Sequence, residues 1–208
     1  SPIDQETEDI CRDSMRNFKN IGSKVEEITI DLEDLEDTFL ALRSQEFVID
    51  RELQLQRYRD QIKPDIIWNT ELGLEQSIST LAKAERARAA LYMQFNDLFS
   101  QYDLIVTPGA NTPAFDVDLR YPEAIDGIKL EHYMAASTLT AAVTISASPA
   151  LSLPCGFDQY GRPIGLQLIG RPRGEAALLA AGALFEIESG LAEQVPIDPR
   201  HGKVPPMG

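Results

Sequence analysis

Twelve serines, two cysteines and two histidines are the first residues of this 208-residue chain to weigh as nucleophiles, bases or metal ligands. A serine becomes a nucleophile only beside a base that takes its proton. None of the twelve stands in a G-x-S-x-G elbow or an S-x-x-K pair. His132, in "EHYMAA", and His201 flank no such serine, and His132 reads as a surface or helix-packing histidine. Ser1 could use its own amine as base, but Ser1-Pro2-Ile3-Asp4 reads equally as a helix start, with Ser1 as cap. Cys11 and Cys155 are far apart in sequence and suggest neither a disulfide framework nor a zinc site. There is no P-loop and no G-x-G-x-x-G. The expectation is a chain with no catalytic residue of its own, no metal site and no cofactor.

Charge narrows the partners. The net charge is −14, and residues 1–50 carry fourteen Asp/Glu against five Lys/Arg. Such a field repels phosphate backbones, so nucleic acid is not an expected partner. The run Asp31-Leu32-Glu33-Asp34-Leu35-Glu36-Asp37 reads as a solvated helix start. No apolar run approaches the roughly 20 residues of a membrane span. The acidic N-terminus resembles neither a secretory signal nor a transit peptide. A cytoplasmic protein without membrane contact is the expectation.

The elements that would position any chemistry alternate between helix and strand. Ile10, Cys11, Met15 and Phe18 recur at helical spacing and give a first helix ending at Gly22. "VEEITIDL", residues 25–32, follows as a strand. Residues 34–62 read as a helix stopped by Pro64, and residues 74–100 as a second long helix. "YDLIVTPG", residues 102–109, is a short, nearly continuous apolar strand, of the kind covered on both faces. Residues 110–130 read as loop and 130–146 as a small-residue helix. Two strands are expected at 150–154 and 162–169, then a helix at 175–188 and a loosely held tail at 196–208. Four scattered strands, two of them buried on both faces, need neighbours for their backbone hydrogen bonds. This α/β chain reads as part of a larger sheet.

The stretch "SPALSLPCG", then a turn, then "GRPIGLQLIGRPRGEAALLAAGALFE", resembles the C-terminal part of the amidase signature family. The matching positions include Pro149, Ser152, Pro154, Gly156, Pro163, Gly165 and Gln167. Upstream, "NIGSKVEEITIDL" and "FSQYDLIVTPGANTPA" resemble the family's earlier elements in the same order. The resemblance implies that residues 1–208 are the C-terminal half of an amidase-signature domain, with a mixed central β-sheet sandwiched by helices. The family's catalytic lysine and two serines, one in a cis peptide, lie in the N-terminal half and have no counterpart here.

The same resemblance implies a small-molecule amide substrate, bound together with the N-terminal half, and a homodimer as one assembly. By position it assigns Thr140, Val143, Thr144 and Ala147 to the wall of the acyl pocket, with Tyr133 and the loop at Pro108 nearby. Asn often stands where this chain has Thr144, and Gly where it has Ala147. A methyl at Ala147 should narrow the pocket. The plain alternative is that these residues only pack a helix. Three readings stay open: part of an amidase inactive alone, the matching part of an aminoacyl-tRNA amidotransferase subunit, or a non-catalytic module that binds a partner or dimerises.

Overall fold

Four α-helices precede the first strand in a computed structural model of the chain, which describes residues 2–191 and 194. The expected tail at 196–208 lies outside the described residues. The fold is α/β, and the described chain divides into two compact units.

Among the described residues the first unit comprises 2–29, 102–140, 148–191 and 194. Its first helix, α1 (Gln5–Asn20), starts one turn later than the cap expected at Ser1. Asp4 is the cap: its Oδ1 accepts the Thr7 backbone N–H and the Thr7 hydroxyl, both at 2.8 Å. A carboxylate there satisfies a free helix donor and favours the positive end of the helix dipole.

Three strands form one sheet in the order β1 (Ile105–Pro108), β5 (Pro163–Ile169), β4 (Ala150–Phe157), each pair antiparallel. Leu153 pairs with Leu166 and Leu151 with Leu168, which puts these leucines on one face. Cys11 and Phe18 of α1, and Leu178 and Phe185 of α6 (Glu175–Ser189), share a core with that face. The Phe18 and Phe185 rings lie 4.9 Å apart. β5, the middle strand, is buried nearly throughout; of β1 only Ile105 is fully buried. The strand expected at 102–109 is therefore only partly covered, and the strand buried nearly throughout is β5.

Cys155 sits at a register shift between Pro154 and Gly156, with its sulfur 3.8 Å from that of Cys11. The hydrogen bond to Cys155, helped by burial, pushes the Cys11 thiol above its ordinary range.

The second unit comprises residues 30–101 and 141–147. It holds α2 (Leu35–Tyr58), α3 (Pro64–Leu74) and α4 (Ile78–Phe99). The sequence pattern predicts no α3, because Pro64 reads there only as a stop. Proline also opens helices, because its missing N–H is one that the first turn leaves unused, and Pro64 does both. Ser77 caps α4 by accepting the Thr80 N–H at 3.0 Å.

α3 lies so close to α2 that a Cβ on Gly73 would run into the Ser44 carbonyl oxygen and come within 2.6 Å of Val48 Cγ2. Helix propensity alone would make Gly73→Ala stabilising by about 1 kcal/mol. Overpacking against a backbone costs about 3 kcal/mol, so a net loss of about 2 kcal/mol is expected. Fluorescence of Trp68, the only tryptophan and itself on α3, would report it during urea unfolding.

Two further expectations are corrected. Residues 25–32 form no strand: Val25 packs at the margin of the first core, but the segment joins no hydrogen-bonded ladder among the described residues. It carries the chain from one unit to the other at Thr29–Ile30, and β-branched residues suit any extended connector. The loop at 110–130 contains a short ribbon, β2 (Ala124–Ile125) and β3 (Ile128–Lys129), joined by Asp126-Gly127 with φ of 47° and 77°. An Asp-Gly pair between isoleucines is the residue choice that such a tight turn needs. The helix expected at 130–146 begins as a 3-10 turn at Tyr133–Ser137 and becomes α5 at Thr138–Ser146.

Candidate functional site

Within the first unit, the chain leaving β1 makes a loop that three other elements hold. Gly109 donates its N–H to the Gly165 carbonyl at 2.7 Å. A Cβ at Gly109 would sit 3.0 Å from that oxygen, so the close approach needs glycine. Asn111 is buried; its amide donates to the Pro2 carbonyl at 2.9 Å and its own backbone carbonyl accepts the Asp4 N–H at 2.8 Å. Arg162, at the start of β5's approach, donates Nη1 to the Ala114 carbonyl at 2.5 Å.

Arg162 is itself fixed by the β4–β5 turn. Asp158 has a fully buried side chain that accepts Arg162 Nε at 2.5 Å, the Arg162 N–H at 2.8 Å and the Tyr160 N–H at 3.0 Å. Burial alone would raise the Asp158 carboxyl, but the backbone N–H and guanidinium of Arg162 and the Tyr160 N–H together hold it below the ordinary carboxylate range.

The loop borders a half-open cavity of about 400 Å³. Phe115, Tyr121, Tyr133 and Ile164 give it an apolar wall, and Thr7, Asn111 and Ser137 supply polar groups. Among the described residues Arg120 is the one charged residue of its lining, and its guanidinium lies 5.5 Å from the centre of the Tyr133 ring. Asp116, Asp118 and Glu123, its acidic neighbours in sequence, are not among the lining residues. Small-molecule sites have this make-up: concave, mostly apolar, with a few placed polar groups. Among the described residues no group of three or more His, Cys, Asp or Glu is placed to hold a metal ion.

Of the five residues assigned from sequence, Tyr133 lines this cavity and the other four do not. Thr140 and Thr144 are one turn apart on α5 and exposed, and Thr140 donates to the Ser137 carbonyl at 2.8 Å. Val143 is buried. Ala147 is exposed just past the end of α5, with φ of 55°. That left-handed conformation costs a non-glycine residue about 1–2 kcal/mol, against about 0.5–1 kcal/mol of chain entropy that glycine would lose. Ala147→Gly is therefore expected to stabilise by about 0.5–1 kcal/mol in urea unfolding; a loss of stability would mean that its methyl is engaged in packing.

Arg120, Phe115 and Asn111 were not legible in the sequence. All three lie in a stretch that reads as loop, and nothing in "FDVDLRYPEAID" separates one arginine from its acidic neighbours.

Comparison with known proteins gives a consistent result. A family model described as Amidase matches residues 24–179. A glutamyl-tRNA(Gln) amidotransferase polypeptide of Streptococcus mutans is 31% identical over 81% of this chain and 31% of its own length. Its counterpart from Lactiplantibacillus plantarum is 27% identical over 93% of this chain and 44% of its own. Among solved structures, a bacterial aryl acylamidase of the amidase signature family superposes with TM-score 0.79 at 21% identity, over 93% of this chain and 42% of that one. A further amidase superposes with TM-score 0.82 at 22% identity, over 90% and 43%. The chain spans less than half the length of these relatives.

Proposed function

This chain belongs to the amidase family, and we propose that it is the C-terminal part of a hydrolase that cleaves a carboxylic amide to an acid plus ammonia or an amine. The observation that carries this reading is the family match over residues 24–179 in a chain spanning less than half of its relatives. In the complete protein a lysine would act through a bridging serine in a cis peptide to activate a second, nucleophilic serine. Those three residues would come from the other half, and backbone N–H groups would hold the oxyanion.

This chain would supply three sheet strands, a core and part of the substrate pocket. The cavity after β1 would be that part, with Tyr133 in its wall; Thr140, Val143, Thr144 and Ala147 would belong to the acyl site by resemblance. The complete protein would be cytoplasmic; among the described residues no helix is long and apolar enough to cross a membrane.

A second reading is favoured by the two curated relatives above, which belong to glutamyl-tRNA(Gln) amidotransferases. The complete protein would then be one component of such an assembly. The mass of the native protein in its source cells, by immunoblot followed by intact mass, tests the proposal. A species roughly twice the size of this 23.1 kDa chain is expected from the relatives' lengths; a native species of 23.1 kDa would contradict it. Co-purification with a distinct polypeptide would move the assignment to the amidotransferase reading.

A further inference from the structure

We propose that Cys11 and Cys155 are a thiol–disulfide site, which a peroxide closes into a reversible bridge tying α1 to β4 beside the cavity. The inference goes beyond the amidase reading and stands without it. Three observations converge on the pair. The chain has two cysteines, 144 residues apart, and folding brings their sulfurs to 3.8 Å. Both are free and buried, so only a small oxidant suits them. Cys155 falls at the register shift between Pro154 and Gly156 and is the one residue of β4 without a ladder partner. A bulge residue of this kind is free to re-aim its side chain. The helix is already close: a Cβ on Gly156 would lie 2.6 Å from Ile10 Cγ2. Closing the sulfurs to the bonded distance of about 2.0 Å then falls to the two side chains and the bulge.

The hydrogen bond with Cys11 holds the Cys155 thiol below its ordinary range against its burial, which suits Cys155 to attack first. Its thiolate takes one oxygen of hydrogen peroxide, forming a sulfenic acid as the O–O bond breaks. The hydroxide that leaves recovers the Cys155 proton and becomes water. The Cys11 sulfur then displaces the sulfenic hydroxyl, and its own proton leaves with that hydroxyl as a second water. Two thiols are oxidised to one disulfide, and the peroxide is reduced to two waters. A dithiol reverses the step by exchange. The bridge would be felt at the cavity, because Thr7, one turn before Cys11, is in its lining. Asp4, at the start of the same helix, donates its N–H to the Asn111 carbonyl on the cavity loop.

The test treats the native, complete polypeptide that carries the chain with hydrogen peroxide, then alkylates and digests it without reductant. Mass spectrometry should find the Cys11 and Cys155 peptides joined as one species, which dithiothreitol separates again. Hydrogen exchange of residues 4–11 and 109–114 should slow roughly tenfold in the bridged protein. Cys155→Ala should abolish the slowing caused by peroxide and leave exchange before peroxide unchanged. The linked peptide is read from the wild type, so that result stands whether or not the variant folds. Two free thiols after peroxide, sulfinic acids in place of a bridge, or a bridge from either cysteine to another partner would overturn the proposal. So would a bridge that leaves exchange in both segments as it was. None of these readouts uses amide hydrolysis, so failure of the site and failure of the amidase reading are told apart.

Discussion

Replacing Phe185 by alanine is expected to cost about 4 kcal/mol of stability, the largest loss of any single truncation in the first unit. Phe185 is fully buried. It joins the two helices on the leucine face of the sheet, touching Phe18 of α1 from α6. Truncation removes the ring's transfer free energy and leaves a cavity whose walls are a strand and two helices, none of which can close it without losing other contacts. Urea unfolding followed by far-UV circular dichroism would measure the effect. A loss under about 1.5 kcal/mol would mean that α6 is not held on the sheet as described.

Asp158→Ala is expected to cost about 3 kcal/mol at neutral pH. The carboxylate accepts two backbone N–H groups and one guanidinium N–H from a side chain closed to solvent. Charge-assisted hydrogen bonds contribute about 1.5–3 kcal/mol, and their removal leaves donors unsatisfied. The effect should also depend on pH in one direction. Asp158's folded pKa lies below its unfolded value. Its contribution is therefore complete above the ordinary aspartate pKa of about 4 and is lost as the pH falls through the lower, folded value. The stability difference between wild type and Asp158→Ala should shrink on acidification below about pH 4. A difference that widened there would assign the effect to another group. Because Arg162 links Asp158 to the Ala114 carbonyl, the same substitution should loosen the loop that borders the cavity.

The elements written in periodic apolar residues were legible in the sequence, and those written in context were not. β4, β5 and α6 lie close to the expected positions because leucine alternation and an Ala/Leu-rich helical pattern fix their register locally. "VEEITIDL" has the right residues for a strand, yet a strand exists only with a hydrogen-bonded neighbour, and a sequence cannot display its neighbour. The Asp126-Gly127 turn and the helix opened by Pro64 did carry local signals, each outweighed by a competing sense of the same residue. Of the residues that line the cavity, Tyr133 is the one that the resemblance also names. Arg120, Phe115 and Asn111 are brought together by a loop whose shape depends on Gly165, Asp4 and Arg162, residues remote from it in sequence.

The claim that this chain belongs to an amide-cleaving enzyme and is inert by itself is tested most directly by ammonia release from simple primary amides. The complete polypeptide that carries the chain and the isolated 208-residue chain would be assayed side by side. Ammonia from the first and none from the second is the predicted result. Release by the isolated chain, undiminished when Ser1 is replaced, would contradict it and place a nucleophile within these residues.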